Sequence, residues 1–515
     1  ANLAGVDLSG MDLTETRLIG TDLSNAVLTG TILTGADLSE TNLTGVDLSG
    51  MNLSGVRLAG VDLSNEILAD TILTGADLSD TNLAGVDLSG MDLTGTILSG
   101  ADLSNAVTTG TILTGADMSD ANLAGIDLSG RDLTEMKLTG ADLSNAVTTG
   151  TILTGADLSD ANLAGIDLSG MDLTEMKLTG ADLSNAVLTG TIMAGADLRR
   201  TNLSDVDLSG WDLTGTILSS ADLTNTVLPS DYLSQNDFTS TVFDGVDLSG
   251  KDLTGSVFQL GSFKNTNLQN ANLSAADFVQ VDFTEIKNRS LAGADLSHAS
   301  FAHSDLSGVN LSGVRISTAN FDKADLSGQD FTVIFGPSFK GSEFIEANLS
   351  NSNFEGVNLG PETEFFNIFK NKAFLKNWLD MGKSKSDLVE NLFGKEYTAT
   401  RLILSTEVRG NDLAVKWIDF NSFTRANLEN VNFKNAVLWH AEFYSANLSN
   451  ADLSGADLKG TAFGKADLSN ANLSGADLSD ANLSDADLSG ADLSGVILNE
   501  YAILTCKNHP VCKSD

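Results

Sequence analysis

The sequence predicts an all-β solenoid, a chain that winds one short unit over and over. Three observations predict it. Leu recurs at every fifth residue, at Leu3, Leu8, Leu13, Leu18, Leu23, Leu28, Leu33, Leu38 and Leu43. That period matches neither an amphipathic helix nor the strict alternation of a strand. The 515 residues are drawn mostly from the few types of that unit, so the length signals many copies rather than several domains. The hydrophobic residues, 42% of the chain and regularly spaced, supply a core and exclude a disordered chain.

The repeated unit explains the period. Two residues before each Leu stands a compact apolar group, such as Val6, Met11, Ala36 or Ala76. Asp or Asn very often lies between them, as in Ala36-Asp37-Leu38-Ser39, and Ser or Thr usually follows the Leu, then often Gly. Two inward and three outward positions suit a short extended segment followed by a corner. On these residues the chain resembles the pentapeptide-repeat family, whose consensus is Ala-(Asp/Asn)-Leu-x-x, over about 430 residues. The resemblance implies a right-handed quadrilateral parallel β-helix with four pentads per coil. The Leu and the residue two before it would line the interior, and the other three would face out. The repeat then amounts to about 21 coils and a rod of roughly 100 Å.

A larger period of forty residues overlies the pentads. Asn42 to Thr81 is copied as Asn82 to Ala121, Asn122 to Ala161 and Asn162 to Thr201. Read face by face, the outward positions run Asn2, Asp22, Asn42, Asp62; then Asp7, Val27, Asp47, Ile67; then Asp12, Ile32, Asn52, Ile72; then Arg17, Asp37, Arg57, Asp77. Coils lie about 4.8 Å apart, so carboxylates on adjacent coils would repel. Alternation moves like charges to about 10 Å, near the Debye length. The same alternation leaves Val27/Ile32, Ile67/Ile72, Val107/Ile112, Val147/Ile152 and Val187/Ile192 as an apolar outer stripe on two neighbouring faces. One reading is electrostatic spacing of an acidic solenoid; the sharper one is a surface for lateral contact.

Along the chain, residues 1–360 read as repeat, 361–425 as a non-repeat lobe, 426–500 as repeat again and 501–515 as a tail. Leu or Phe holds register from Leu3 to Phe283. Insertions of about three residues fall around Ile286–Ser290 and around Gly336-Pro337, as corner loops. From about Thr241 onward Phe replaces many Leu residues, so the interior there is wider or more irregular. Phe365, Phe366, Phe369 and Trp378 have helical spacing and predict an amphipathic helix, with a second capped helix from Ser386 to Gly394 and a strand over Arg401–Val408. The lobe is too long to be structureless. Its aromatics either pack on the solenoid or present a docking surface. In the last coils Asp457 and Asp477 share a face, as do Asp467 and Asp487.

The chemistry of sites is sparse. With 69 acidic and 29 basic side chains the formal charge is −40, which argues against direct nucleic-acid binding and against an anionic membrane surface. No apolar run approaches a membrane span. No catalytic, cofactor-binding or metal-binding constellation stands out. His298 and His303 near Asp295 and Asp305 read as outer-face residues. Cys506, His509 and Cys512 offer at most three ligands where structural zinc takes four, so a local Cys506–Cys512 disulfide is expected, and with it an oxidising compartment. The start at Ala1-Asn2-Leu3 fits a mature secreted chain or a trimmed one.

Three functions follow as expectations. The first is a non-enzymatic extracellular or cell-surface rod. It begins inside a perfect repeat with nothing resembling a cap, and it polymerises with itself head to tail, with possible lateral contacts. The second is a cytoplasmic DNA mimic whose partner is DNA gyrase, as the family resemblance implies for some members. One net charge per about 2.5 Å compares with about 1.7 Å for duplex DNA. The third is a surface adhesin or binding module using the Ser/Thr-rich faces.

Overall fold

The computed structural model describes residues 1–213, 215–334, 342–359, 363–369, 401–409, 412–419 and 421–513. Each coil forms from one local device repeated four times. In Val6-Asp7-Leu8-Ser9-Gly10 the Asp7 carboxylate accepts the Ser9 amide at 3.0 Å and its hydroxyl at 2.6 Å. This Asx motif opens a turn. The turn closes when the Met11 amide donates to the Leu8 carbonyl at 3.1 Å. Its third residue, Gly10, has φ 69°, the left-handed region that Gly enters without strain. Asn and Asp fill the same corner elsewhere, as at Asn105 with φ 56° and Asp120 with φ 57°. The Asp/Asn-Leu-Ser/Thr-Gly preference is thus the chemistry of the corner.

Between corners the backbone pairs in parallel with the next coil. Leu3 donates to Asp22 at 2.7 Å and Asp22 donates to Ala1 at 3.0 Å. The bridges Asn2 to Asp22, Asp7 to Val27, Asp12 to Ile32 and Arg17 to Asp37 define a twenty-residue coil with four faces. The fold is therefore a β-helix solenoid, with the central Asp, Asn, Arg, Val or Ile of each pentad on the outside. Among the described residues no helix is long and apolar enough to cross a membrane.

Two compact units divide the chain, Ala1–Val246 and Asp247–Asp515. In the first, Leu residues and the small residues two before them fill the interior; Leu38, Ala36, Leu78 and Ala76 are almost wholly buried. Thr108 and Thr148 occupy Leu positions, a departure from the expected uninterrupted Leu/Phe register. Each is buried, and its hydroxyl donates to a carbonyl of the next coil, Asp127 at 2.7 Å and Asp167 at 2.6 Å. The hydrogen bond removes the cost of a buried hydroxyl.

In the second unit the interior holds a column of rings. Phe258, Phe278, Phe301, Phe321, Phe344, Phe423, Phe443 and Phe463 stack in that order, with centroids 4.8 to 5.4 Å apart. The column fits the coil spacing, since offset-stacked rings prefer about the same distance. Three insertions interrupt the sequence without interrupting the ladder. Asn272 pairs with Asp295 past the short 3-10 turn Lys287–Arg289, and Asp325 pairs with Asn348 past Gly336-Pro337, which lies outside the described residues. Glu343 pairs with Ser422, Asn348 with Asn427 and Asn353 with Asn432, across separations of 79 residues. Buried Asn421 closes the base of this largest insertion: its amide donates to Leu359 at 2.8 Å and its carbonyl accepts Ser342 at 3.0 Å.

Within the insertion the described backbone is β, not helical. Strands β1 (Thr363–Phe369), β2 (Arg401–Arg409) and β3 (Asp412–Asp419) form an antiparallel sheet in the order β1-β3-β2. Phe365, Phe366 and Phe369 therefore lie on a strand, against the helix expected from their spacing. The run Phe365-Phe366-Asn367-Ile368-Phe369 is dense in residues that favour strands, and apolar spacing over so few residues does not separate the two periods. β2 contains the strand expected over Arg401–Val408. Trp378 and the second expected helix lie outside the described residues.

Candidate functional site

The geometry of the first unit sorts its charges by face. On the first face Asn and Asp alternate and bond: Asn42 donates to Asp22 at 3.1 Å, Asn122 to Asp102 at 3.0 Å and Asn162 to Asp142 at 2.9 Å. On the fourth face cations sit above carboxylates. Arg57 lies 3.8 Å from Asp37, Lys137 3.0 Å from Asp117 and Lys177 3.5 Å from Asp157. These Asp residues are half-buried between their partners.

The second and third faces differ. Asp7, Asp12, Asp87, Asp92, Asp127, Asp132, Asp167 and Asp172 are exposed there. Hydrogen bonds from the Ser or Thr hydroxyl two residues on, and from its amide, hold these carboxyls below the ordinary Asp range. The expected aliphatic stripe stands between them: Val27, Ile32, Ile67, Ile72, Val107, Ile112, Val147, Ile152, Val187 and Ile192 are all exposed, each by 46% or more. Bridges alternate the two chemistries directly, Asp87 with Val107 and Asp92 with Ile112. Among the basic residues of this unit, Arg17, Arg57, Lys137 and Lys177 lie on the fourth face and Arg199 and Arg200 at the corner beyond it. Arg131, at the seam of the second and third faces, is the exception, and its Nε is buried without a hydrogen-bond partner.

Sequence reasoning missed the ridge between these two faces. Its corners carry Gly90, Gly110, Gly130, Gly150, Gly170 and Gly190 in succession, so close-set that a Cβ on Gly110 would lie 3.7 Å from the Gly90 backbone. The corner between the first and second faces instead alternates Gly with Asn, as Gly85, Asn105, Gly125 and Asn145. The signal that would have found the ridge is the Gly at twenty-residue intervals between the second-face and third-face positions, as Gly110 lies between Val107 and Ile112. Beside the ridge, Thr151, Ile152, Met171 and Asp172 line a shallow groove of about 320 Å³.

In the second unit the stacked carboxylates that the sequence flagged have partners. Lys459 lies 3.1 Å from Asp457 and 3.0 Å from Asp477. Asn508 donates to Asp487 at 2.9 Å. Near the base of the insertion three carboxyls are pushed up by burial: Asp322, Glu343 (with Asp322 adding repulsion) and Glu442. His298 and His303 sit at corners, His298 bonded through Nδ1 to Thr318. Among the described residues no three His, Cys, Asp or Glu converge to hold a metal ion. Cys506 and Cys512 are joined in a disulfide, Cα atoms 5.0 Å apart, and His509 accepts the Val511 amide at 3.2 Å.

Comparison with known proteins agrees with this geometry. The family described as pentapeptide repeats matches residues 1–30, 31–65, 68–100, 97–134, 132–170, 166–205, 191–229, 252–284, 290–328, 338–360, 422–460 and 463–499, passing over the insertion. No curated protein matches. Among solved structures, HetL, a pentapeptide repeat protein involved in heterocyst differentiation regulation from the cyanobacterium Nostoc sp. strain PCC 7120, is 21% identical, with 65% of this chain and 90% of that one covered and a TM-score of 0.18. Full-length QnrB1, a plasmid-mediated fluoroquinolone resistance protein, is 17% identical over 58% of this chain and 94% of its own, TM-score 0.17. A pentapeptide repeat protein from the Arabidopsis thaliana thylakoid lumen is 29% identical over 24% and 67%, TM-score 0.12. The matched segments span most of the chain and coincide with the bridged coils: the chain belongs to the pentapeptide-repeat family.

Proposed function

We propose that this chain is a non-enzymatic structural repeat protein that acts outside the cell as a self-assembling fibre or surface scaffold. The observation that carries the reading is the interchangeability of its coils. Within each unit successive described coils offer one another the same ladder of carbonyls and amides, as where Leu3 donates to Asp22 in the first and Leu468 to Asp487 in the second. A coil surface of that kind pairs as readily with the coil of another molecule as with its own neighbour. Head-to-tail pairing is heterologous and grows open filaments. The Cys506–Cys512 disulfide supports an oxidising, extracytoplasmic setting. The test is sedimentation velocity over a wide concentration range with electron microscopy of the same samples. Assemblies that lengthen with concentration support the reading; a monomer at every concentration contradicts it.

A second reading, a duplex-DNA mimic that binds gyrase, draws support from the exposed carboxylates of the second and third faces of the first unit. A supercoiling assay separates the two, since only the mimic inhibits gyrase at low concentration.

A further inference from the structure

The second and third faces of the first unit carry an apolar surface that self-assembly through coil ends does not use. Its rungs are Val/Ile pairs such as Val107/Ile112 and Val147/Ile152, exposed by 46 to 50%. From Gly90 to Gly190 the ridge between the two members of each pair carries only glycine and short exposed hydroxyl side chains such as Thr109, Thr149 and Thr189. A partner lying along the ridge therefore touches both faces at once. Left-handed φ does not by itself dictate these glycines, because Asn105 and Glu135 adopt the same conformation at other corners. The groove beside Ile152 and Met171 gives the surface local concavity.

Charge and spacing identify the occupant. Between the aliphatic rungs stand exposed carboxylates, of which Asp127 feels the charge of Arg131, while the unit's other Lys and Arg lie on or beside the fourth face. A second copy docked face to face would bring Asp rows against Asp rows with Arg131 as this unit's single cation on the contact, so it is disfavoured. The aliphatic rungs recur every two coils, about 9.6 Å. An α-helix repeats one face every seven residues, about 10.5 Å, and a tilt of roughly 25° matches the two periods. We infer that this ridge and its two flanking faces are a docking surface for a cationic amphipathic helix, with aliphatic side chains every seven residues seated on the Val/Ile rungs and Lys or Arg seated over the intervening Asp residues. The apolar contacts supply the affinity that charge, screened at physiological salt, does not.

The experiment uses the full chain and two synthetic peptides of equal charge. One is an amphipathic Leu/Lys helix with Leu along one stripe; the other replaces every Leu by Ser. Binding is measured by calorimetry in low and physiological salt. The Leu/Lys peptide binds on the order of tenfold more tightly than the Ser/Lys peptide and keeps most of its affinity in salt. The triple variant Ile112→Thr, Ile152→Thr, Ile192→Thr, which keeps β-branched residues on the strands, lowers that affinity on the order of tenfold, while Ile97→Thr with Ile217→Thr on the fourth face leaves it unchanged. Circular dichroism melts establish that both variants are folded. Equal binding of the two peptides assigns the face to charge alone and overturns the inference. So does equal loss in both variants, or absence of binding. Lateral self-association of the peptide-free chain that the triple variant abolishes would make a second copy the occupant, which also overturns it.

Discussion

Leu143 in the first unit and Phe423 in the second hold the same interior station of a pentad, and their neighbourhoods differ in kind. Leu143 is buried in a unit whose interior is mostly Leu and Ala and whose register runs on bridges of twenty residues. Phe423 sits in a ring column, 5.0 Å from Phe344 below and 5.0 Å from Phe443 above. The bridge separations of 23 and 79 residues lie in the Phe-lined unit. The contrast locates two sources of coil-to-coil cohesion. A Leu interior relies on every coil having one width. A ring column adds a directional contact worth about 0.5–1.5 kcal/mol per pair beyond burial, which holds adjacent coils together where the chain departs and returns. The outsides differ correspondingly: the first unit displays aliphatic rungs, the second carries Asn ladders such as Asn348, Asn427 and Asn447.

The strongest way to break the comparison is Leu143→Asp. It buries an unpaired charge in the uniform interior and costs about 3 kcal/mol or more. Hydrogen-exchange mass spectrometry should show coils around residue 143 opening while the second unit keeps its protection; unchanged melting would mean that Leu143 does not point inward. Next is Phe423→Ala, expected to cost about 3–5 kcal/mol. Its loss of protection should appear on both sides of the insertion, around Phe344 and Phe443, although the first lies 79 residues away in sequence. Smaller is Asn421→Ala, which leaves the buried Leu359 carbonyl and Ser342 amide without their partner and costs about 1–3 kcal/mol. Opening confined to the base of the insertion is the expected pattern.

The smallest effect sharpens the comparison through pH. Asp7, Asp87 and their equivalents have lowered pKa values, so their contribution is present above the ordinary Asp value of 3.8 and is lost as pH falls through the lower folded values. Glu343 and Glu442 are raised above 4.5 by burial. The folded state there takes up the proton before the unfolded chain does, so those sites gain stability as pH falls through the raised values. Exchange measured at neutral pH and near pH 4 should therefore show the base of the insertion tightening on mild acidification, and Glu442→Gln should remove part of that response.

Much of this was legible from spacing. The inward Leu, the residue two before it and the face-by-face order of Asp, Val and Ile follow from counting in fives and twenties, because the corner chemistry of Asp-Leu-Ser-Gly repeats without competing signals. What was not legible depended on contacts between coils. The expected unbroken Leu/Phe register passed over Thr108 and Thr148, whose burial is explained by the carbonyls of Asp127 and Asp167 that their hydroxyls reach. Asp457 over Asp477 reads as a clash until Lys459 is seen between them. The helix expected at Phe365–Phe369 failed because a strand's identity there comes from its partner β3, some fifty residues on.

The central claim is that the twenty-residue ladder continues through the insertion as if it were not there. Paired cysteines test it directly: Asp87→Cys with Val107→Cys as the regular pair, and Glu343→Cys with Ser422→Cys as the pair across the insertion, oxidised mildly and mapped by peptide mass spectrometry. Parallel bridge partners lie within the reach of a disulfide. The account predicts that both pairs crosslink within one molecule. A crosslink at residues 87 and 107 without one at 343 and 422 would contradict it.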